Sequence, residues 1–276
     1  MIGKVVRVIA GFYDVKSNED QQHYRIRGSG NLRYTNNAPV VGDYVEFSPN
    51  GLLTKILERK NFFIRPKIAN IDQAIIVMSL KEPKFSSLLL DKFLMIVESK
   101  NIEPIIFFTK TDLDEFFDIS IYQKMGYKCY AINNNKFDKK PFLDLFKNKT
   151  SVFMGQTGVG KTSTINNLSD SNFAIQQISK ALGRGKHTTR VVQIIDWNEG
   201  ELIDTPGFSS IQIDLEPLEM ARSFINFKEA AKECKFKSCI HFNEPEHDCK
   251  IKTLVRINEI PQWRYQNYLD LLKEVI

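Results

Sequence analysis

The feature that most constrains this chain is the glycine-rich stretch GQTGVGKTST, Gly155 to Thr164. It contains the pattern G-x-x-x-x-G-K-T, follows the apolar run SVFM and leads into STINNL, which is the strand, loop and helix order of a phosphate-binding loop. The alternative is a tight glycine-rich turn without a ligand. In such a loop backbone N–H groups point at phosphate oxygens, the lysine contacts the β- and γ-phosphates, and the threonine hydroxyl binds Mg²⁺. The residues predicted to contact the nucleotide are Gly155, Gln156, Thr157, Gly158, Val159, Gly160, Lys161, Thr162 (also the Mg²⁺ ligand) and Ser163.

Two further motifs indicate which nucleotide binds. DTPG follows the apolar run GELI, where Asp204 offers a carboxylate to the outer-shell water of Mg²⁺ and Gly207 offers an N–H to the γ-phosphate. TKTD follows the apolar run PIIFF, and its Asp112 is suited to accept hydrogen bonds from guanine N1–H and the exocyclic amino group, a donor pair that adenine lacks. We therefore expect GTP and GDP with Mg²⁺. The remaining residues of this base motif are Thr109, Lys110 and Thr111.

The order of these motifs is unusual. Familiar GTPases place the phosphate loop first and the base motif last, whereas here Asp112 precedes Gly155, and in this respect the sequence resembles the circularly permuted GTPases. A permutation leaves the site intact because the strand ends of one sheet converge wherever the chain is cut. It also connects the segment after DTPG directly to the C-terminal region, so we expect a nucleotide-dependent movement to be passed there.

The stretch GRGKHTTR, residues 183–190, lies where a switch loop is expected. Thr188 and Thr189 are both candidates for the second Mg²⁺ hydroxyl ligand, and the sequence does not choose between them. Phe208 follows DTPG where many GTPases have a glutamine that orients the attacking water, so we expect slow intrinsic hydrolysis until a partner orders the loop. His187 is the nearest candidate catalytic group, with a solvated or RNA-contacting histidine as the alternative.

The first quarter of the chain differs in pattern and charge. From Lys4 to about Glu58 apolar and polar residues alternate between Asn-, Pro- and Gly-containing turns, which predicts a small antiparallel barrel of OB or SH3-like type. Residues 1–68 hold 11 Lys and Arg against 6 Asp and Glu, which accounts for the whole formal net charge of +5. Such a concentration favours RNA as a partner, with a solvated basic surface as the alternative.

The rest of the chain changes pattern twice. From Ile71 continuous apolar runs alternate with helical segments, which indicates an α/β domain with helices on both faces of a sheet. After Pro217 the sequence is helical and charged. The apolar runs are far shorter than the roughly 20 residues that cross a membrane, so we expect a cytosolic protein with no membrane contact.

A cluster of metal-ligating residue types lies in this last region. Cys234, Cys239, His241 and Cys249 supply three thiolates and an imidazole, a set suited to a closed, structural Zn²⁺ site. His247 is a competing ligand, although the softness of a thiolate favours Cys249. The other possibility is a set of unligated thiols.

The full arrangement resembles the ribosome small subunit-dependent GTPase A family (RsgA, also called YjeQ). The resemblance is carried by RIRGSGNLR, VGDYVEF and RPKIANIDQAIIVMS, the nucleotide motifs above and CKFKSCIHFNEPEHDC. It implies an N-terminal all-β OB-fold at 1–68, a circularly permuted α/β P-loop GTPase domain at 69–215 and a C-terminal helical zinc-binding domain at 216–276. It also implies a GTPase that binds the small ribosomal subunit and its rRNA late in maturation and leaves upon GTP hydrolysis. We expect a monomer.

Two stretches depart from the family pattern. EPEHDC has two extra residues between the zinc histidine and the last cysteine, and an ungapped match places His247 at the ligand position. YAINNN, Tyr130 to Asn135, lies where a fifth GTPase motif is expected but does not match it, so the last base contact is unassigned.

Three other functions remain open at this point. A GTPase acting on the large subunit is disfavoured by the barrel and the cysteine cluster. A non-catalytic RNA-binding module with GTP as a structural ligand is compatible with Phe208. A P-loop ATPase or kinase is the third, and nucleotide competition distinguishes it.

Overall fold

The computed structural model describes residues 1–30, 38–49, 51–114, 117–169, 192–204 and 212–276, without the side chain of Asp204. The chain forms two compact units, Met1–Ala74 with Asn134–Ser209, and Ile75–Asn133 with Ser210–Ile276. The division into three domains at residues 68 and 215 stays a prediction. No helix within the described ranges combines the length and apolar character needed to cross a membrane.

The elements are numbered along the chain. The strands are β1 (Ile2–Ile9), β2 (Phe12–Ser17), β3 (His23–Gly28), β4 (Tyr44–Phe47), β5 (Leu52–Ile56), β6 (Phe62–Phe63), β7 (Ile68–Ala69), β8 (Gln73–Ser79), β9 (Glu103–Thr109), β10 (Lys128–Ile132), β11 (Thr150–Met154), β12 (Gln193–Trp197) and β13 (Gly200–Asp204). The α-helices are α1 (Ser87–Ser99), α2 (Ser120–Lys124), α3 (Leu143–Phe146), α4 (Lys161–Ser169), α5 (Pro217–Met220), α6 (Ile225–Ala230), α7 (Lys250–Arg256) and α8 (Gln262–Leu272).

The first five strands form a closed barrel. β1, β2 and β3 are successive antiparallel strands, β3 pairs with β5 in parallel, β5 pairs with β4, and β4 pairs with β1 to close the ring. This strand order is that of an OB-type Greek-key barrel. Its core contains the fully buried Val5, Val15, Val45 and Leu53. The alternation read from the sequence is visible in β2, where every second residue is buried.

The strand β1 also belongs to a second sheet in the same unit. β11 runs parallel to β13, β13 pairs with β12, and β12 pairs with β1 through Arg7 and Gln193. The first residues of β1 pair with β4, and a shift of register between Val5 and Arg7 marks where its pairing partners change. The barrel is therefore continuous with the sheet from which the phosphate-loop strand, β11, comes.

A buried ion pair reinforces this junction. The Lys4 ammonium pairs with the Glu201 carboxylate of β13 and donates a hydrogen bond to the Thr150 hydroxyl, 2.8 Å away on β11. Lys4 is only 5% exposed, and a buried charge is tolerated when it is both paired and hydrogen-bonded. The pair therefore fixes β1 against β11 and β13.

The second unit combines an α/β region with the C-terminal helices. β8 begins two residues before the unit boundary, and β9 pairs in parallel with β10. Helix α1 begins where the Ser86 hydroxyl accepts a hydrogen bond from the Leu89 N–H, 3.2 Å away, as an N-cap does. Its apolar side packs inward, and α8 packs on α1.

Candidate nucleotide site and candidate metal centre

The phosphate loop has the backbone conformation that its glycines allow. Gly155, Gly158 and Gly160 have φ values of 139°, 83° and 96°, in the region that side chains with a Cβ rarely adopt. The fully buried β11 leads into the loop, and α4 begins at Lys161 directly after it. The predicted strand, loop and helix are therefore present in that order, with the first helical N–H groups facing the loop.

The two polar residues of the loop that the sequence singles out differ in exposure. The Lys161 ammonium lies 2.6 Å from the carbonyl oxygens of Gly155 and of Gln156, so it lies across the loop. Thr162 is exposed at the start of α4, where its hydroxyl is open to a ligand. Of the other predicted contact residues, Thr157 and Ser163 are exposed and Val159 is buried.

Helix α4 is anchored by a residue that sequence reasoning missed. The Thr164 hydroxyl and the Asn167 amide both hydrogen-bond the Asn134 side chain, at 3.1 and 3.2 Å, and Asn167 also donates to the Asn134 carbonyl at 2.9 Å. Asn134 lies in YAINNN, the stretch without a matching motif. Its role here is to hold the helix that follows the phosphate loop, and no signal in the sequence pointed to this pairing.

Asp204 of DTPG is placed by strand register. It is the last residue of β13 and lies opposite Phe153 of β11, two residues before the phosphate loop begins. On its other side it lies opposite Gln193 of β12. Adjacent strands are about 4.8 Å apart, so the backbone of Asp204 lies beside the phosphate loop, as a metal-associated acid requires.

The base motif lies in the second unit, at the end of β9. Thr109 is buried and its backbone carbonyl accepts from Leu80 N–H at 3.1 Å. Lys110 has a left-handed backbone, φ 57°, and its ammonium contacts the Glu82 carbonyl. Thr111–Leu113 form a single 3₁₀ turn that leaves Asp112 exposed. The carboxylate of Asp112 is thus accessible at a strand end, where ligands of α/β sheets bind.

Several predicted residues lie outside the described ranges. They are the candidate catalytic His187, the candidate Mg²⁺ ligands Thr188 and Thr189, and Gly207 with its neighbour Phe208. Their roles stay predictions.

The four residues of the candidate metal centre converge. The ligand atoms of Cys234, Cys239, His241 and Cys249 all lie within 4.8 Å of one another. The His241 Nδ1 atom is 3.8, 3.2 and 3.4 Å from the Cys234, Cys239 and Cys249 sulfurs, respectively. Ordinary Zn–S and Zn–N bond lengths in a tetrahedron separate N and S by about 3.5 Å. The donor set and its spacing therefore fit Zn²⁺.

The protonation of His241 also suits a metal ligand. Burial lowers the pKa of His241 to about 4, so the imidazole is neutral at pH 7. Its Nε2 is 3.2 Å from the Ala221 carbonyl, which assigns the proton to Nε2 and leaves the Nδ1 lone pair facing the sulfurs. Burial raises the pKa of Cys239 and of Cys249, and a bound cation is what stabilises their thiolates.

The surrounding chain holds this geometry. The Glu244 carboxylate accepts from the N–H groups of Ile240 and Phe242, both at 2.8 Å, and forms a tight turn around His241, whose φ is 58°. The Tyr265 and Tyr268 hydroxyls of α8 donate to the His241 and Ile240 carbonyls, both at 2.6 Å. Helix α8 thereby supports the cluster from behind.

His247 is placed differently from the four converging residues. Its side chain is 79% exposed, and its Nε2 lies 3.6 Å from the Asp248 carboxylate. It is not part of the group of ligand atoms that converge. The geometry thus favours Cys249 as the fourth ligand, and EPEHDC accommodates the two extra residues in a 3₁₀ turn at Glu246–Asp248.

Two family models match the barrel and the region that carries the nucleotide motifs. The RsgA N-terminal domain matches residues 2–52, and the RsgA GTPase domain matches residues 56–214, more than half of the chain. The chain belongs to the RsgA GTPase family. The resemblance read from the sequence motifs is therefore confirmed.

Curated relatives of the RsgA family extend over the whole chain. The small ribosomal subunit biogenesis GTPase RsgA of Mycoplasmopsis pulmonis is 53% identical over 276 residues, which is 100% of both chains. The protein of the same name from Streptococcus pneumoniae serotype 4 is 41% identical and covers 100% of this chain and 94% of its own length.

Two solved structures share the RsgA fold. YloQ, described as a circularly permuted GTPase, superposes with a TM-score of 0.80 at 35% identity, covering 99% of this chain and 94% of YloQ. YjeQ from Thermotoga maritima also gives 0.80, at 29% identity, covering 99% and 98%. The predicted fold class is confirmed: a circularly permuted GTPase with an N-terminal five-stranded barrel and a C-terminal cysteine-rich region.

Proposed function

We propose that this chain is a GTPase that binds the small ribosomal subunit and assists its late maturation, with turnover to GDP and phosphate that the subunit stimulates. The observation that carries the proposal is the likeness to a small ribosomal subunit biogenesis GTPase that is 53% identical over the full length of both chains. The phosphate loop, with Lys161 lying across it, supplies the chemistry that such a protein needs.

The nucleotide roles follow from the motifs. The amides of residues 155–163 and the Lys161 ammonium hold the phosphates, Gly207 adds an N–H, and Asp112 with the rest of TKTD selects guanine. Thr162 and one of Thr188 and Thr189 would hold Mg²⁺, and Asp204 would bind its outer-shell water; the ion would supply positive charge to the phosphates. His187 orients the attacking water once a partner orders its loop. Support comes from the glycine conformations and from the register that places Asp204 beside the loop.

The metal and partner roles complete the proposal. One Zn²⁺, held by Cys234, Cys239, His241 and Cys249, stabilises the C-terminal region, as the ligand spacing supports. Residues 1–68, which carry the whole excess of positive charge and include the barrel, contact ribosomal RNA. We further propose that the protein acts as a monomer in the cytoplasm, where its ribosomal partner is found.

The test is GTP hydrolysis by the purified protein alone, with small ribosomal subunits and with large subunits, at one stated salt concentration. Strong stimulation by small subunits only is the expected result. Lys161→Ala, assayed in parallel, shows whether the turnover belongs to this chain, and ATP in place of GTP tests the base preference. Equal rates in all three mixtures would remove the ribosome from the proposal.

A further inference from the structure

A cavity of about 460 Å³ lies where the barrel meets β12, and its described lining includes no residue of the phosphate loop or of the metal centre. All of its wall belongs to the first unit, and it is large enough for a nucleotide-sized group. Its lining residues are Val6, Arg7, Asp14, His23, Tyr24, Arg25, Gln193 and Ile194.

The cavity contains the guanidinium of Arg7, which forms no ion pair with any residue that the structure describes. Arg7 is half-buried, and its Nε is shielded from solvent without a hydrogen-bond partner among the described residues. Asp14 lies opposite Arg7 in the strand register, but both of its carboxylate oxygens are bonded by Arg25, at 2.7 and 3.0 Å. A desolvated N–H of a guanidinium is unfavourable unless it finds an acceptor, and a phosphate oxygen supplies both an acceptor and the opposite charge.

The neighbouring surface also carries arginines. His23, Arg25 and Arg27 are the exposed residues of β3, on the face that borders the cavity. The Arg27 guanidinium stacks on the Phe12 ring at 4.6 Å, so this face also presents an aromatic surface. A guanidinium matches the geometry of a phosphate, and basic grooves with aromatic residues are what single-stranded nucleic acid binds.

The cavity is connected to the nucleotide site by strand register. Arg7 lies opposite Gln193, and Gln193 lies opposite Asp204 of DTPG. Two strand spacings of about 4.8 Å put the backbones of Arg7 and Asp204 roughly 10 Å apart. Gln193 also comes three residues after Arg190, the end of the candidate switch stretch.

We propose that this cavity binds a phosphodiester of single-stranded RNA, held by Arg7 beside Gln193, and that its occupation contributes to the stimulation of GTP hydrolysis. This inference rests on the proposed function, since the RNA is that of the small ribosomal subunit. The RNA contact and the metal-associated Asp204 then lie on nearby strands of one sheet, so RNA bound at Arg7 restrains the strand that follows the switch.

The test compares Arg7→Gln with Lys55→Gln. Lys55 is an exposed residue of β5 that carries the same charge but does not line the cavity. The readout is the small-subunit concentration that gives half-maximal stimulation of GTP hydrolysis, titrated at several salt concentrations. Arg7→Gln is expected to raise this half-maximal concentration about tenfold. It is also expected to reduce the slope of log affinity against log salt concentration by about 0.7, which is the contribution of one phosphate contact on a single strand. Lys55→Gln, which removes a barrel charge outside the cavity, is expected to change both quantities less than Arg7→Gln does.

A direct arm separates RNA from a small anion. Binding of a fluorescent oligouridylate is measured with and without millimolar inorganic phosphate at constant ionic strength. Retained RNA binding that Arg7→Gln weakens supports the inference, whereas complete displacement by phosphate assigns the cavity to a free anion and overturns it. Should Arg7→Gln fail to fold, Arg7→Lys serves instead, since it keeps the charge but loses the planar fork, and a smaller rise of about threefold is expected.

The outcomes distinguish the two levels of the proposal. If wild-type protein is not stimulated by small subunits, the proposed function fails, and this inference fails with it. If wild-type protein is stimulated and Arg7→Gln behaves like Lys55→Gln, the proposed function stands and the inference is overturned.

Discussion

At the scale of single residues, the backbone conformation after β9 exposes the side chain that we predict to recognise the base. Lys110 has φ 57° where β9 ends, and the 3₁₀ turn that follows leaves Asp112 exposed. A residue other than glycine rarely has a left-handed backbone conformation outside turns and functional sites. The exposed carboxylate within this turn is what a base-recognition residue needs.

Asp112→Asn tests this assignment. The change replaces two acceptor oxygens with one acceptor and one donor, so the guanine amino group loses its partner while the 2-oxo group of xanthine gains one. We expect GTP binding to weaken at least tenfold and binding of xanthosine triphosphate to strengthen, as measured by nucleotide competition. Asp114→Asn, two residues along, is the matched control. An unchanged preference for GTP in Asp112→Asn would contradict the assignment.

The sequence predicts local features of this scale well and through-space pairings poorly. The glycine positions and the TKTD turn follow from residue types within a few positions of one another. The bonds from Asn134 to Thr164 and Asn167 join residues about thirty positions apart, and no periodicity encodes them. His187 and the two switch threonines stay predictions.

At the scale of elements, the stability of the short C-terminal helices depends on contacts between side chains of different elements. The helices after Pro217 are 4 to 11 residues long, too short to be stable alone. The cysteine cluster is one such set of contacts, and the hydrogen bonds from the Tyr265 and Tyr268 hydroxyls attach α8 to it.

Metal content provides a test at this scale. Cys249→Ser removes a buried ligand, whereas His247→Ala removes an exposed imidazole outside the cluster. We expect wild type and His247→Ala to retain one Zn²⁺ per chain and Cys249→Ser to lose it and unfold at a lower temperature, because metal binding contributes to folding. Elemental analysis after dialysis measures the stoichiometry. Loss of Zn²⁺ from His247→Ala with retention in Cys249→Ser would reverse the ligand assignment.

A buried ion pair joins α1 and α8. The Arg264 guanidinium pairs with the Asp91 carboxylate at 2.9 Å, and both side chains are at most 1% exposed. Phe224 stacks on one side of the guanidinium, 4.3 Å from the ring centroid. The arginine in QWRYQNY gave no sequence signal of burial, because its partner is far away in the chain.

Removing one partner of this pair leaves a buried charge uncompensated. Arg264→Met is expected to lower the free energy of unfolding by about 3–5 kcal/mol, and Arg264→Met with Asp91→Asn is expected to recover much of the loss. Lys92→Met is the matched control, because Lys92 of α1 pairs at 2.7 Å with Glu274, whose side chain is 47% exposed, and solvent-screened pairs contribute about 0–1 kcal/mol. Urea unfolding measures all three. Equal losses for Arg264→Met and Lys92→Met would contradict the argument.

At the scale of the whole molecule, contacts group the chain differently from its sequence patterns. The patterns separate three consecutive segments, whereas each compact unit is built from two stretches distant in sequence. The fold class and the strands were predictable because apolar runs and turns are local. The pairing of β1 with both β4 and β12 was not, since register is set by long-range contacts.

Unfolding of the second unit is expected to depend on pH through Glu98. Burial raises the pKa of Glu98 to about 7, against a partial lowering by Arg264, with Tyr127 and Asp91 also facing it. This pKa lies above the ordinary value of 4.5 that Glu98 has in the unfolded chain. The contribution of Glu98 to the free energy of unfolding is therefore greatest below about pH 4.5 and falls as the pH rises to about 7. Glu98→Gln removes this decline, so its urea midpoint is expected to fall less between pH 5 and 8. Parallel pH profiles for Glu98→Gln and wild type would refute the assignment.

Strand β1 pairs with both β4 and β12, and a ribosome synthesises these two partners at different times. The barrel strands are complete by Ile56, so the barrel is able to close early in synthesis. The backbone partner of Arg7 in β12 is Gln193, which is synthesised 186 residues later. During that interval the far end of β1 is an open strand edge, of the kind that pairs with other nascent chains. The register shift after Val5 and the charge of Arg7 are features that discourage such pairing, so residues suited to the finished site also protect the unfinished chain.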